Sequence, residues 1–194
     1  MISAMKKCLL EEAQALINLS NEIGEGMRCF LDKLSNCRGK LCFTGVGKSL
    51  IVANKIAASF SSIGYSATII DPLSILHGDL GFLNTDDIVI AVSNSGETDI
   101  LVAALNYVQS IGTDILSITG NEESTVAKMS SCHCLVSTSE AGAFGLVPSS
   151  STTAVMALGD ALLCGLIVRD KLTVEDFFKY HPGGALGQMW KKRF

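Results

Sequence analysis

Apolar and polar positions change their period several times along this chain. From about residue 2 to 35, apolar side chains recur at helical spacing: Leu9, Ala13, Leu16 and Ile17, then Ile23, Met27, Phe30, Leu31 and Leu34. This predicts one or two N-terminal helices, in a segment of residues 1–36 that packs on the domain formed by 37–194. Beyond it, short runs that are apolar throughout alternate with helical patterns. Strands are predicted over 40–44, 66–70, 88–93, 114–119 and 133–136, and helices over 49–63, 97–111, 124–129 and 150–169. A polar helix over 173–180 and a sharp turn over 181–187 close the pattern. Strands that are apolar on both faces and alternate with helices belong in a parallel sheet covered on both sides. The expected architecture is α/β: a three-layer α/β/α sandwich with a five-stranded parallel sheet. Ligands of such sheets sit outside the carboxyl ends of the strands, so the informative corners follow Thr44, Ile70, Val92, Thr119 and Val136.

Composition narrows the class. The 194 residues suffice for a single core, and 48% hydrophobic content with three prolines argues for a compact globule. A formal charge of −4 gives no broad positive field for nucleic acid, and the basic residues cluster only at Lys191-Lys192-Arg193. An anion must therefore be held locally. The start meets Glu11 and Glu12 before any apolar block of signal-peptide length. Residues 154–168 fall short of the roughly 20 needed to span a bilayer and include Asp160. A cytoplasmic protein without membrane contact is expected. Seven cysteines, among them Cys8, Cys29, Cys42 and Cys164 in apolar runs, read as buried thiols rather than a disulfide framework. Cys132-His133-Cys134 resembles a metal set, but in a strand the middle residue points away from its neighbours, so no metal is expected there.

The corner after Val92 carries Ser93-Asn94-Ser95-Gly96-Glu97-Thr98 at a strand-to-helix junction. Hydroxyls, a close-approach glycine and the unpaired amides of a first helical turn suit a phosphate, although a Ser or Thr there also serves as an ordinary cap. Gly45-Val46-Gly47-Lys48-Ser49 ends like a nucleotide loop. Its required earlier glycine is Cys42, and a dinucleotide fingerprint would need glycine at Leu50, so both nucleotide readings fail. What remains is a tight turn presenting Lys48 and Ser49, either to an anion or simply to solvent. His77 stands beside Gly78 in the corner after the second strand, and His181 opens His181-Pro182-Gly183-Gly184. Glu140 lies in the last loop, before Ser149-Ser150-Ser151-Thr152-Thr153, whose hydroxyls can touch a sugar or cap the long helix.

One phosphate cradle, one lysine, two histidines in glycine-rich turns and two candidate carboxylates, Glu97 and Glu140, need no cofactor to act together. A carboxylate base, an imidazole and an anchored phosphate suffice for sugar-phosphate isomerisation. The base moves a proton between neighbouring carbons, a histidine handles ring opening or hydroxyl protons, and a lysine steadies the enediolate. Each positioned acid or base is worth about 10² to 10⁴ in rate, and binding of the remote phosphate supplies positioning.

On the glycine-lysine-serine turn, His77-Gly78-Asp79-Leu80-Gly81, Ser93 to Glu97, Ser150-Ser151-Thr152-Thr153 with Gly159-Asp160-Ala161, and His181 to Gly187, the chain resembles the sugar isomerase (SIS) domains. The two histidine motifs resemble those of the arabinose-5-phosphate isomerase branch. The resemblance spans about residues 40–188. It implies interconversion of D-ribulose 5-phosphate and D-arabinose 5-phosphate through a cis-enediol, the first step of Kdo synthesis for lipopolysaccharide or capsule, without an obligatory metal. It further implies that Gly47, Ser49, Ser93, Asn94, Ser95 and Thr98 bind substrate. Lys48, His77, Glu140 and His181 would line the reacting end, with Glu140 as the base. A homotetramer is implied, in which the C-terminal histidine turn can serve a neighbouring subunit.

Two departures from the pattern are visible. Many members continue into paired CBS repeats, whereas this sequence stops at Phe194, so a catalytic domain without CBS regulation is expected. Feedback by CMP-Kdo near the histidines would then take over that role. Some relatives carry a glutamate where this chain has Ile100, which moves weight to Glu140. Two rival readings stand beside this one: a SIS isomerase of another ketose phosphate, and a non-catalytic sugar-phosphate sensor. A sensor of the transcription-factor type needs a DNA-binding partner, which neither the N-terminal helices nor the net charge supply.

Overall fold

The computed structural model describes residues 1–191; of the expected basic cluster, Lys192 and Arg193 lie outside the described residues, as does Phe194. Two helices come first, α1 (Ile2–Glu22) and α2 (Met27–Ser35), followed by β1 (Leu41–Gly45), α3 (Lys48–Ser61) and β2 (Ala67–Ile69). Next are α4 (Pro72–Leu76), a 3-10 turn (Asp79–Phe82), β3 (Ile88–Ser93), α5 (Asp99–Ser110), β4 (Asp114–Thr119), α6 (Thr125–Met129) and β5 (Cys132–Leu135). The chain continues through α7 (Ser150–Arg169), α8 (Val174–Lys179) and α9 (Gly184–Lys191).

The five strands form one sheet in the order β2-β1-β3-β4-β5, and every pairing is parallel. Register places Phe43, Ile90, Leu116 and Cys132 in one row across the sheet. That row packs with Phe30, Ile56, Phe60, Leu158 and Leu162 from α2, α3 and α7. Alternation sends Cys42, Val89, Ala91 and Ile115 to the opposite face, under Ile75, Leu101, Leu105, Val108 and Val126 from α4, α5 and α6. The three-layer sandwich expected from the all-apolar strands is therefore present. Its two cores explain why those strands have no polar side.

Helices α3 and α7 approach closely because Gly159 has no side chain; a Cβ there would lie 2.5 Å from Ile56. Both begin at the carboxyl end of the sheet and run towards its amino end. α7 is long and apolar enough to cross a bilayer. In this fold it instead buries Ala154, Leu158, Leu162 and Leu166 against the sheet layer, and its Asp160 pairs with Lys55.

Three elements depart from the sequence pattern. α4 is only five residues long, started by Pro72 and by Asp71, whose carboxylate accepts from the Leu73 amide at 2.8 Å. Edge strand β2 keeps three of five expected residues, since it pairs with β1 alone. The turn expected over 181–187 gives way at Gly184 to α9, seated by stacking of Trp190 on Phe178 at 4.5 Å. The cysteine expectation is also corrected. Cys29 on α2 and Cys132 on β5 are joined in a disulfide with Cα atoms 6.3 Å apart, and Cys164 is exposed rather than buried. Cys42 fits the buried-thiol reading, its pKa pushed up to about 12 by burial.

Candidate active site

Helices α3, α5 and α7 all begin at the carboxyl end of the sheet, and their first turns differ in what occupies them. At α3 the N-cap is Gly47, with φ 60°, so no side chain caps the helix. Gly45 is equally constrained, because a Cβ would sit 2.7 Å from the Val92 carbonyl oxygen. The turn leaves Lys48 exposed and without an ion-pair partner among the described residues, with Ser49 half-buried beside it.

The loop from β3 to α5 is braced from inside. Buried Ser93 accepts from the Gly96 amide at 3.1 Å, and its Oγ lies 3.5 Å from Thr98 Oγ1. Ser95 Oγ accepts from the Glu97 amide at 3.2 Å. Gly96 has φ +67°, and a Cβ on it would come within 2.1 Å of Ser124 Oγ. Its carbonyl accepts from Val126 N–H at 3.1 Å, while Glu97 Oε1 accepts from Thr125 N–H at 2.7 Å. The loop is thus fastened to the head of α6, and the Thr125 amide holds the Glu97 carboxyl below its usual range. Glu97, a candidate carboxylate by sequence, is committed to this anchor. Thr98 occupies the N-cap of α5 without capping it, so the first amides of that helix remain open, with exposed Asp99 in the same turn.

At α7 the first turn is filled. Glu140 Oε2 accepts from Ser149 N–H at 2.8 Å, Ser149 Oγ at 3.2 Å and Ser151 N–H at 3.2 Å, and Oε1 accepts from Ser151 Oγ. Burial works to raise this carboxyl, and hydrogen bonds from Ser151 and Ser149 outweigh it, leaving the pKa below the ordinary range. Of the other hydroxyls, Thr152 donates to the Ser149 carbonyl and Thr153 to Glu12. The hydroxyl cluster that reads as caps is therefore in large part the seat of Glu140. That partnership depends on a loop folding back over nine to eleven residues, and no local pattern announces it.

Ser49, Asn94, Ser151 and Thr152 line one small cavity over Val52, Val92 and Val155. The structure thus brings together the heads of α3 and α7 and the loop after β3, with Glu140 attached through Ser151. His77 ends α4, exposed, with its ring making no hydrogen bond to another described residue. His181 stacks on Phe177 at 3.9 Å, and its Nδ1 lies 2.8 Å from the Phe177 carbonyl oxygen. The preceding Tyr180 covers Gly64, just past the far end of α3. α3 is fourteen residues long counted from Lys48, so Lys48 lies about 20 Å from that end at 1.5 Å per residue. Within one chain His181 is therefore at the opposite end of the sheet from Glu140.

Cys132 and Cys134 share one face of β5, and His133 on the other lies 2.9 Å from Thr119 Oγ1. Among the described residues no group of three His, Cys, Asp or Glu side chains is placed to hold a metal.

The SIS domain model matches residues 33–164. Arabinose 5-phosphate isomerase KdsD of Salmonella typhi is 39% identical over 186 residues, 95% of this chain and 57% of that protein. Arabinose 5-phosphate isomerase KpsF of Escherichia coli O6:H1 is 37% identical over 190 residues, 97% of this chain and 58% of that protein. The chain thus spans somewhat over half the length of these curated relatives. Among solved structures, an Escherichia coli CFT073 protein in complex with arabinose 5-phosphate is 36% identical, with a TM-score of 0.89 over 93% of this chain and 97% of that one.

Proposed function

The chain belongs to the SIS domain family, and from that premise we propose that it interconverts D-ribulose 5-phosphate and D-arabinose 5-phosphate, the first step of Kdo synthesis. One observation carries the reading. At a single end of the sheet the first turns of α3 and α5 lie open, whereas that of α7 is occupied by the chain's own carboxylate, Glu140. An anionic group on a ligand then has the open amides and hydroxyls to meet, and its uncharged end faces a base. The names of the two curated relatives and the sugar-phosphate complex of the structural neighbour support the pentose ester as substrate.

In the proposed reaction the phosphate rests on Ser93, Ser95, Thr98 and the α5 amides, with Gly47, Ser49 and Asn94 completing the cradle. Glu140 is ionised through neutral pH, takes the proton from C1 of the ketose, and returns it to C2 of the enediol. The hydroxyl proton moves from O1 to O2 with the help of a histidine, and the Lys48 ammonium stabilises the enediolate oxygens. His77 and His181 are the imidazoles in this scheme. His181 comes from a neighbouring subunit of a homotetramer, a reading supported by its place at the far end of α3 and by the exposed Val46, Ile51, Phe144 and Leu146. The enzyme works in the cytoplasm, and CMP-Kdo inhibits it near the histidines; an assay with added CMP-Kdo that kept its full rate would remove that last element.

Incubation with ribulose 5-phosphate in deuterated water tests the proposal. The native chain places deuterium on the carbon next to the carbonyl, and Glu140→Gln, which keeps the shape but not the basicity, is slower by about 10² to 10⁴. No labelling by the native chain removes the isomerase reading. Equal labelling by both removes Glu140 as the base.

A further inference from the structure

We propose that Glu11 and Glu12 on α1 are positioning residues for Glu140, so that the N-terminal helix, outside the matched residues 33–164, belongs to the working site. The inference rests on Glu140 being the base. Glu140 is carried by the connection between β5 and α7, which has neither helix nor strand of its own. Gly142 and Gly145 in it have φ of +91° and +60°, and Phe144 and Leu146 are each 81% exposed. Ala141 is buried and its amide donates to Ser149 Oγ at 2.9 Å, but past it the segment has few contacts to hold it.

Two bonds from α1 add to the restraint that Ser149 and Ser151 place on Glu140. Glu11 Oε2 accepts from the Gly142 amide at 2.9 Å, two residues past Glu140. Glu12 Oε2 accepts from Thr153 Oγ1 at 3.1 Å, in the same first turn of α7 whose Ser149 and Ser151 hold the Glu140 carboxylate. Consecutive carboxylates on one helix therefore grip both structures between which Glu140 is suspended. Lys7 flanks Glu11 at 3.5 Å from the outer side.

Between α1 and residues 137–140 runs a polar groove of about 430 Å³, lined by Gln14, Asn18, Ser137, Thr138 and Ser139. Apart from Ala15 the described residues lining that groove are polar, so hydrogen bonds at its edge restrain the loop against α1. A base displaced by about 1 Å can lose on the order of 10²-fold in rate. Loosening one of two anchors is expected to cost less.

The test uses the full chain with Glu11→Ala, the Glu11→Ala/Glu12→Ala pair and Glu11→Gln. The paired variant is expected to lower kcat about tenfold with KM changed less than about twofold. Glu11→Gln, whose amide oxygen still accepts from the Gly142 N–H, recovers most of the Glu11→Ala loss. Hydrogen exchange over residues 140–147 is faster in Glu11→Ala than in the native chain, while exchange in the sheet is unchanged. Unaltered kcat in the paired variant overturns the proposal, as does a loss accompanied by faster exchange everywhere. If the native chain does not isomerise the pentose ester, the base assignment falls with the proposed function. Exchange over 140–147 then still decides whether α1 clamps the loop.

Discussion

The heads of α5 and α7 lie at the same end of one sheet and are built from similar residues, yet they end up with opposite electrostatics. Each follows a strand, and each is rich in serine and threonine. At α5 the hydroxyls of Ser93 and Ser95 accept from amides of their own loop, while Thr98 leaves the helix uncapped. At α7 a carboxylate from the chain accepts two amides and two hydroxyls. A helix end carries roughly half a positive charge, so the first head, its amides uncapped beside exposed Asp99, keeps more of its attraction for an anion than the second, where Glu140 has taken it up. Composition cannot separate them; what separates them is whether a glutamate loops back. A ligand with one anionic end is thereby given an orientation.

Among substitutions that leave the proposed base in place, damaging the open head is expected to have the largest effect. Gly96→Ala forces an L side chain into φ +67° and sets its Cβ against Ser124 Oγ. Backbone strain of this kind costs about 1 to 3 kcal/mol, and the clash adds to it. The prediction is a lower urea midpoint together with a KM for the pentose phosphate raised more than about tenfold, as the amides lose their aim. An unchanged KM in a folded variant would mean that the anion does not use this loop.

A smaller effect is expected at the filled head, and it should appear in the pH profile. Ser151→Ala removes the hydroxyl donor to Glu140 Oε1, leaving burial less opposed, so the carboxyl pKa rises. The acidic limb of kcat/KM moves to higher pH. The sign for stability follows from the depressed folded pKa. The contribution of Glu140 is fully present above its unfolded pKa and disappears as pH falls through the folded one. Ser151→Ala should therefore lower stability at neutral pH, by about 1.5 to 3 kcal/mol for a hydrogen bond to a charged group, with the difference from the native chain shrinking in acid. A parallel offset at all pH values would show that Ser151 acts by packing alone.

The two heads also differ in how far they are legible in the residues. The sheet is readable because β3 is apolar along nearly its whole length and β1 and β4 carry short apolar runs, Leu41 to Phe43 and Ile115, Leu116 and Ile118, between helical patterns. The loop of Ser93 to Thr98 is readable because its internal bracing is local, reaching no more than five residues, whereas its fastening to α6 through Thr125 and Val126 is not written in the loop. Glu140 stands out as a carboxylate near hydroxyls, but its four donors depend on a fold-back, and the grip from α1 joins residues 131 and 141 positions apart. Periodicity carries no trace of contacts at that range. α4 and α9 escape the pattern because five residues give no period and because Gly183-Gly184 looks like a stop. The remoteness of His181 from Glu140 follows from α3 and α7 running in the same direction, which the pattern of apolar positions does not encode.

The smallest effect is expected from Glu97→Gln, and it is the strictest control because the same substitution is expected to remove most turnover at Glu140. Both carboxylates accept backbone amides at a helix head, and both have lowered pKa values. If hydrogen bonding to the chain were all that mattered, the two substitutions would behave alike. At position 97 a glutamine oxygen still accepts from the Thr125 N–H, the loop stays fastened to α6, and no proton transfer is asked of the group. kcat and KM should each change by less than about twofold, the scale of exposed helix-end electrostatics. At position 140 the amide fills the same seat but cannot take a proton from carbon. Steady-state rates of the two variants, measured side by side, separate an anchor from a base, and a loss at Glu97 as large as that at Glu140 would move the chemistry from the head of α7 to the loop before α5.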